Sequence, residues 1–342
     1  MTTDGPYIDA YATAPWYIDH IAPIWQALGP HQGRFHVRQP LLAYAKGLSL
    51  DNLTAMPVGG GGRGLLTVGY GDMSAARAAG RTRLALGQHG AGQSYSNANP
   101  SYPGGGHQEG VGLFLVPNDT ARRRTLATYP NARVAVVGCP KTEALPRRQP
   151  DAAPGAGPVV ALGLHWDAHV TPESGSAWLH FRVALLDLAR TYTVLGHGHP
   201  RAIDRMAPYY RGARIEVVRS FPQVLERADV YVCDNSSSLF EFASTGRPVV
   251  VLNAPTYRLA VNHGLRFEPS DGCALQAGRH WCGASHVGPQ ANGPREVAAA
   301  VARALERRPA DEAARETALG VVYQPRRGGA ALAARALVDW AA

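Results

Sequence analysis

The chain is 342 residues long and 45% hydrophobic, enough for about two domains of ordinary size, each with its own core. No stretch approaches the roughly 18 unbroken apolar residues that a membrane span needs, and the N-terminal segment lacks the basic-then-apolar order of a secretory signal, so neither class is expected. The formal net charge is +8; residues 1–150 hold 14 Lys and Arg against 8 Asp and Glu, so most of the surplus lies in the first half and suits an anionic partner such as a nucleic acid or a phosphate polymer.

Apolar residues around Tyr7–Tyr11 predict a first strand, and Trp16, Ile18, Ile21, Ile24, Trp25 and Leu28 recur at helical spacing until Gly29-Pro30. Phe35-His36-Val37 predicts a second strand and Leu41–Leu48 a short helix or turn. Leu65–Val68 is a strand, Met73–Gly80 a helix of small residues, and Arg83–Leu86 a strand that runs into Gln88-His89-Gly90-Ala91-Gly92-Gln93-Ser94. A histidine on a glycine-flanked turn at a strand's carboxyl end is held rigidly yet open to a ligand, which suits a catalytic base. Residues 96–110, rich in Asn, Pro and Gly, read as a loop. Gly112–Val116 is a strand, Asn118-Asp119-Thr120 caps a helix running to Tyr129, and Val134–Val137 is a strand ending at Gly138-Cys139-Pro140-Lys141.

Residues 146–158 are dense in proline and glycine and mark a linker between a first domain (1–145) and a second (159–325). The second opens with strand Val159–Leu164 and continues through His165-Trp166-Asp167-Ala168-His169, a helix from Ser176 to Arg190, strand Tyr192–Leu195, and Gly196-His197-Gly198-His199-Pro200. Arg214–Val218 is a strand, Arg219-Ser220-Phe221 a turn, and Pro222–Arg227 a helix. The run from Val230 ends at Cys233-Asp234; Asn235-Ser236-Ser237-Ser238 then turns into a helix, Leu239–Thr245, and strand Val249–Leu252 follows Pro248. Arg279–Val287 reads as a sheet-edge segment, Pro294–Arg307 and Glu312–Leu319 as helices, and 326–342 as a terminal helix expected to pack back on the first domain. Alternating strands and helices predict α/β architecture with two Rossmann-like parallel sheets facing across a cleft. The hydroxyls and amides of the serine turn are donors for an anion such as a diphosphate; an ordinary helix cap accounts for them equally well. The four cysteines, 139, 233, 273 and 282, form no CxxC pair and read as reduced thiols of a cytoplasmic protein.

His89-Gly90, the VGCPK segment, His199-Pro200 and Asp234-Asn235-Ser236-Ser237, in this order, resemble the transferases of GT-B fold, and most closely the CDP-glycerol glycerophosphotransferases that build teichoic acid. Those enzymes carry an HG motif in the first domain, and an HP motif and a D-Y-S-S turn in the second. The stretch from Asp234 to Arg258 is also similar to the turn and helix of non-hydrolysing UDP-GlcNAc epimerases. The resemblance implies a nucleotide-diphosphate donor on the second domain, with His89 taking the acceptor's proton and His199 contacting the diphosphate. It implies a ribose contact from Glu241 and diphosphate contacts from Ser236, Ser237 and Ser238.

Arg219, Ser220 and Phe221 are candidates to frame the nucleobase and Arg258 to meet phosphate. Asp234 and Asn235 belong to the donor-binding turn, Asp234 mainly by shaping it, and Gly90, Gln93, Ser94, His165, Asp167 and His197 are further acceptor or donor contacts. No metal and no cofactor beyond the activated donor are expected. The basic first half points to a polyanionic acceptor, either a teichoic-type polymer or DNA carrying a hydroxymethylated base. A sugar-nucleotide epimerase and a non-catalytic nucleic-acid or glycan binder are the alternatives.

Overall fold

The computed structural model describes residues 6–55, 57–59, 63–91, 110–145, 157–167, 176–234, 236–254 and 286–342, and the backbone at 266–267 and 281–282. The described residues up to 144 and from 322 onward form one compact unit, and those between form a second.

In the first unit the chain runs β1 (Ile8–Ala12), α1 (Pro15–Leu28), β2 (Gln32–Val37), α2 (Leu42–Gly47), β3 (Leu53–Thr54), β4 (Gly64–Thr67), α3 (Tyr70–Ala78), β5 (Leu84–Gly87), β6 (Val111–Val116), α4 (Asp119–Thr128), β7 (Arg133–Val136) and α5 (Pro140–Glu143). The strands form one parallel sheet in the order β3-β2-β1-β4-β5-β6-β7. The winding moves outward from β1 to β3 and then restarts at β4 on the other side. Its direction therefore reverses between β1 and β4, and the carboxyl ends of that pair are where such sheets open to ligands. Side chains alternate across the strands to feed two cores. Ile8, Ala10, Leu66, Ala85 and Leu113 pack beneath α1, with Ile18, Ile21 and Trp25. Leu65, Leu84, Leu86 and Phe114 pack against Met73 and Ala76 of α3 and Ala121 of α4. A sheet buried on both faces accounts for the near-continuous apolar strands. Helix α1 starts at Pro15, where a missing N–H costs nothing, and stops at Gly29, whose φ of 52° breaks the helical path.

The second unit runs β8 (Val159–Leu164), α6 (Trp178–Asp187), β9 (Thr193–Gly198), α7 (Ile203–Gly212), β10 (Glu216–Val217), α8 (Phe221–Arg227), β11 (Val230–Cys233), α9 (Ser238–Ala243) and β12 (Val249–Leu252). It continues through β13 (Arg266–Phe267), β14 (Trp281–Cys282), β15 (Gln290–Ala291), α10 (Val297–Leu305) and α11 (Pro309–Val322). Its main sheet is parallel, in the order β10-β9-β8-β11-β12-β15. Counted from β8 this is the 3-2-1-4-5-6 order of dinucleotide-binding sheets, with the reversal between β8 and β11. The last helix, α12 (Gly329–Ala341), belongs to the first unit, where Ala333, Leu337 and Ala341 join the core under α1.

One unassigned segment gains an element and two local expectations change. The segment after His199-Pro200 is a helix, α7, with Pro208 inside it. Strand β9 runs on to Gly198, so His197 is a buried strand residue and not part of a turn. The edge of the second sheet is β15; Trp281–Cys282 instead pairs antiparallel with Arg266–Phe267 in a separate two-stranded sheet. Among the described residues no helix is long and apolar enough to cross a membrane.

Candidate functional site

In the first unit β5 delivers His89 to the carboxyl edge of the sheet beside the reversal point. Its Nδ1 lies 2.6 Å from the carbonyl oxygen of Val68, the residue that follows β4. A carbonyl only accepts, so Nδ1 carries a proton, and in the neutral ring the lone pair is then on Nε2. The ring lies edge-on to Tyr17 (centroids 5.3 Å apart) and near Tyr70 (6.1 Å) and His20 (6.3 Å). Tyr17 comes from the first turn of α1 and Tyr70 from the start of α3, so the elements after β1, β4 and β5 converge there. Gly69 makes this possible: a Cβ at that position would stand 2.6 Å from the Tyr17 ring. Below, buried Asp72 accepts from both the amide and the hydroxyl of Thr13, tying the end of β1 to α3. Burial holds its carboxyl above the usual range against those two bonds.

In the second unit the reversal point is organised by Asp234, at the carboxyl end of β11 and 1% exposed. One carboxylate oxygen accepts from the amide of His165 (2.8 Å) and the other from that of Ala177 (3.0 Å). The end of β8 and the approach to α6 are thus fastened to β11. Burial raises the Asp234 carboxyl to about 7, although the amide bonds favour its ionised form. Both oxygens face inward, so Asp234 shapes the site and the neighbouring side chains supply its contacts.

Those neighbours are His165, Trp166, His199 and Arg201. The ring of His199 stacks on Trp166 (5.6 Å, 28°) and tilts against His165 (5.4 Å), and the Arg201 guanidinium lies 4.5 Å over the Trp166 ring. Nδ1 of His199 accepts from the Arg201 amide at 3.2 Å, so its proton sits on Nε2. Burial is the largest cause that lowers His199 to about 3, with the neighbouring His165, Arg201 and His197 also disfavouring a second proton there, so the ring is neutral at neutral pH. His165 is tautomerised the other way, with Nδ1 toward the Trp166 carbonyl at 2.8 Å. Asp167, a candidate contact from the sequence, accepts from Arg205 (2.7 Å) and from the Ser176 amide (2.8 Å). Burial opposes the ionised form there, but these two bonds prevail and hold its carboxyl below the usual range.

The serine turn is more self-contained than the sequence suggests. Amides at Ser236, Ser238, Leu239, Phe240 and Glu241 all have acceptors within the turn, so at these positions the free amides expected for an anion are already used. What remains are hydroxyls: Ser236 and Ser238 bond each other at 2.8 Å, and Ser238 also meets the Tyr231 hydroxyl at 3.1 Å. Tyr231 reaches that point across Gly163 of β8, where a Cβ would fall 1.8 Å from its hydroxyl oxygen. Glu241 is buried in α9. Phe221 starts α8 and lies between His197 (6.0 Å) and Tyr231 (5.8 Å), while His197 points Nδ1 to the Val218 carbonyl. Arg219 is exposed and paired with Asp204, and Ser220 stands before α8 without a side-chain cap bond. Gly90 is in a turn with φ 105°. Gln93, Ser94, Asn235, Arg258 and His169 lie outside the described residues. The sequence reading missed Tyr17, Tyr70, Trp166, Arg201 and Arg205. An aromatic at the head of α1 looks like ordinary core, and Arg201 and Arg205 fall where no helix was expected. Among the described residues no cluster of His, Cys, Asp and Glu could hold a metal ion.

No protein-family model and no curated protein matches the chain. Solved structures do. A variant of the wall teichoic acid polymerase TagF soaked with CDPG is 10% identical, with a TM-score of 0.59 over 96% of this chain and 86% of that one. A putative UDP-N-acetylglucosamine 2-epimerase from Listeria monocytogenes is 13% identical, with a TM-score of 0.58 over 97% and 94%. The UDP-GlcNAc 2-epimerase from Neisseria meningitidis bound to UDP-GlcNAc is 13% identical, with a TM-score of 0.53 over 98% and 99%. At these identities the likeness establishes the architecture: two Rossmann-like α/β units of GT-B fold.

Proposed function

We propose that the chain is a transferase that moves a sugar or a glycerol-phosphate group from a nucleotide-diphosphate donor to an acceptor hydroxyl. The observation that carries this reading is the pair of opposite histidine tautomers at the two reversal points. With Nδ1–H turned to a carbonyl, the neutral His89 ring carries its lone pair on Nε2, which takes a proton; neutral His199 offers an Nε2–H, which donates to an anion. In this reading the second unit holds the nucleotide half of the donor, with His199, Arg201 and the hydroxyls of Ser236, Ser237 and Ser238 toward the diphosphate and buried Glu241 toward the ribose. The Arg201 guanidinium, which helps push His199 down, also attracts a diphosphate, and a bound diphosphate would raise the ring's affinity for a proton in turn. The first unit supplies the base: the acceptor's hydroxyl proton passes to Nε2 of His89, and its oxygen bonds to the anomeric carbon or to phosphorus. The bond to the leaving phosphate oxygen breaks, and its electron pair departs with the nucleotide.

Donor binding is tested by thermal stabilisation with a panel of nucleotide-diphosphate sugars and CDP-glycerol; a ligand at a hundred times its Kd adds about 2.7 kcal/mol. With the donor in hand, His89→Ala is expected to slow transfer by about 10²–10⁴-fold. Unchanged transfer would refute the role given to His89. The likeness to two UDP-GlcNAc 2-epimerases across nearly the whole chain favours a second reading, interconversion of the donor sugar. Its signature is a changed sugar nucleotide formed with no acceptor present.

A further inference from the structure

The transferase reading leaves unexplained the rings around His89. Trp16 is 40% exposed although it stands in the first turn of a helix whose next residues are core. It meets Tyr17 edge-on at 5.7 Å; Tyr17 meets His89 at 5.3 Å; and Tyr70 flanks His89 on α3 at 6.1 Å. The series runs from solvent to the candidate base and is built at some cost, since Gly69 gives up a side chain so that Tyr17 can lie against the backbone. Nothing in the packing of α1 asks for Trp16: Ile18, Ile21 and Trp25 fill the core beneath it. An exposed tryptophan continuous with half-buried tyrosines, and ending on a proton acceptor, is a surface for a flat apolar face that carries a hydroxyl beyond it.

We propose that Trp16, Tyr17 and Tyr70 form the acceptor platform, and that the acceptor presents a pyranose ring, whose face of C–H bonds stacks on the aromatics while one hydroxyl reaches Nε2 of His89. An open-chain polyol phosphate has no such face, whereas the rings of Tyr17 and Tyr70 stand beside His89. The inference rests on the transferase reading for the role of His89, but it is tested without a donor.

Saturation-transfer NMR on the full chain with methyl gluco-, galacto-, manno- and N-acetylglucosaminides is set beside glycerol 3-phosphate. At least one methyl glycoside should bind with its ring protons most strongly saturated. Trp16→Phe should preserve that binding and Trp16→Ala weaken it at least tenfold, while glycerol 3-phosphate shows no dependence on Trp16. No binding by any glycoside, binding unaltered in Trp16→Ala, or Trp16-dependent binding of glycerol 3-phosphate would each overturn the proposal. Trp16 is exposed, so the Ala variant should stay folded, and the Phe variant guards against a fold effect. Nucleotide-donor stabilisation measured on the same variants separates the two ideas. Donor binding with Trp16-independent glycoside binding sinks the platform alone; Trp16-dependent glycoside binding without any donor binding sinks the transferase alone.

Discussion

His89 and His199 differ in which ring nitrogen the backbone leaves free, and that difference can be measured directly. Long-range ¹H–¹⁵N spectra should show His89 as the Nδ1–H tautomer and His199 as the Nε2–H tautomer at neutral pH, with His199 neutral down to about pH 3. The same tautomer at both would remove the division of labour proposed for them. Asp234 makes a second prediction. Replacing it with Asn leaves one acceptor oxygen for two buried amides, those of His165 and Ala177, and should cost about 1–3 kcal/mol in chemical denaturation. The pH dependence has two opposed parts. Between about pH 4 and 7 folded Asp234 holds a proton that the unfolded chain has released, so its share of stability is present below pH 4 and lost as pH rises through 7. Between about pH 3 and 6.5 the unfolded chain binds a proton that folded His199 refuses, so that share is present above 6.5 and lost as pH falls toward 3. Asp234→Asn should therefore make stability climb more steeply with pH across 4–6.5 than in the wild type. An unchanged slope in urea midpoints would mean that burial does not hold the Asp234 carboxyl protonated.

At the scale of elements, Asn118 shows how much one cap can carry. Its Oδ1 accepts from the Ala121 amide and opens α4, while its Nδ2 donates to the carbonyls of Ala91 (3.3 Å) and Val322 (2.8 Å), joining three segments in one buried residue. Asn118→Ala removes the cap and strands two buried carbonyls, so a loss of about 2–4 kcal/mol is expected, read by denaturant midpoint; a change under 0.5 kcal/mol would show that water replaces the amide there. The cap itself was legible in Asn118-Asp119-Thr120, because a capping side chain acts within its own turn. So were the strands from Ile8–Ala12 to Val249–Leu252, apart from the two-residue edge strand Leu53–Thr54, since a doubly covered sheet writes itself as apolar runs. Two kinds of feature were not legible. One is helix α7, where Pro208 within and Gly-His before argue for a loop, and where only packing of Met206, Ala207 and Tyr210 into the core decides otherwise. The other is the company a residue keeps. His89 and His199 stood out from their own neighbours in sequence, but the partners that set their protons, Val68 and the Arg201 amide, are backbone groups with no sequence signature. Tyr17, 72 positions before His89, reaches it only because β1 and β4 are adjacent in the sheet.

At the scale of the whole molecule, the chain leaves the first unit after residue 144 and returns to it at 322. The return is secured by a run of contacts. The Gln324 amide donates to the Pro117 carbonyl, and its side chain accepts from the Asp119 amide. The Glu143 carboxylate accepts from the amides of Gly328, Gly329 and Ala330, placing a negative charge where the α12 dipole is positive. Helix α12 then supplies Ala333, Leu337 and Ala341 to the core under α1, and the Trp340 ring fills space that only glycine leaves at Gly64 in β4 and Gly112 in β6. The last helix in sequence is thus a core element of the first unit. Leu337→Ala, an apolar truncation at a site with no exposed surface, should cost about 2–5 kcal/mol. Removal of residues 326–342 should go further and open the face of β1, β4 and β6 to water. Hydrogen exchange followed by mass spectrometry is the measurement, because a single melting temperature is not defined when two units unfold apart. Peptides from β1 through β7 should lose protection in the truncated chain, while those from β8 through β12 keep it. Equal loss in both sets would mean that the units fold as one cooperative block, and unchanged protection in the first would mean that α12 is an ornament on a core already complete.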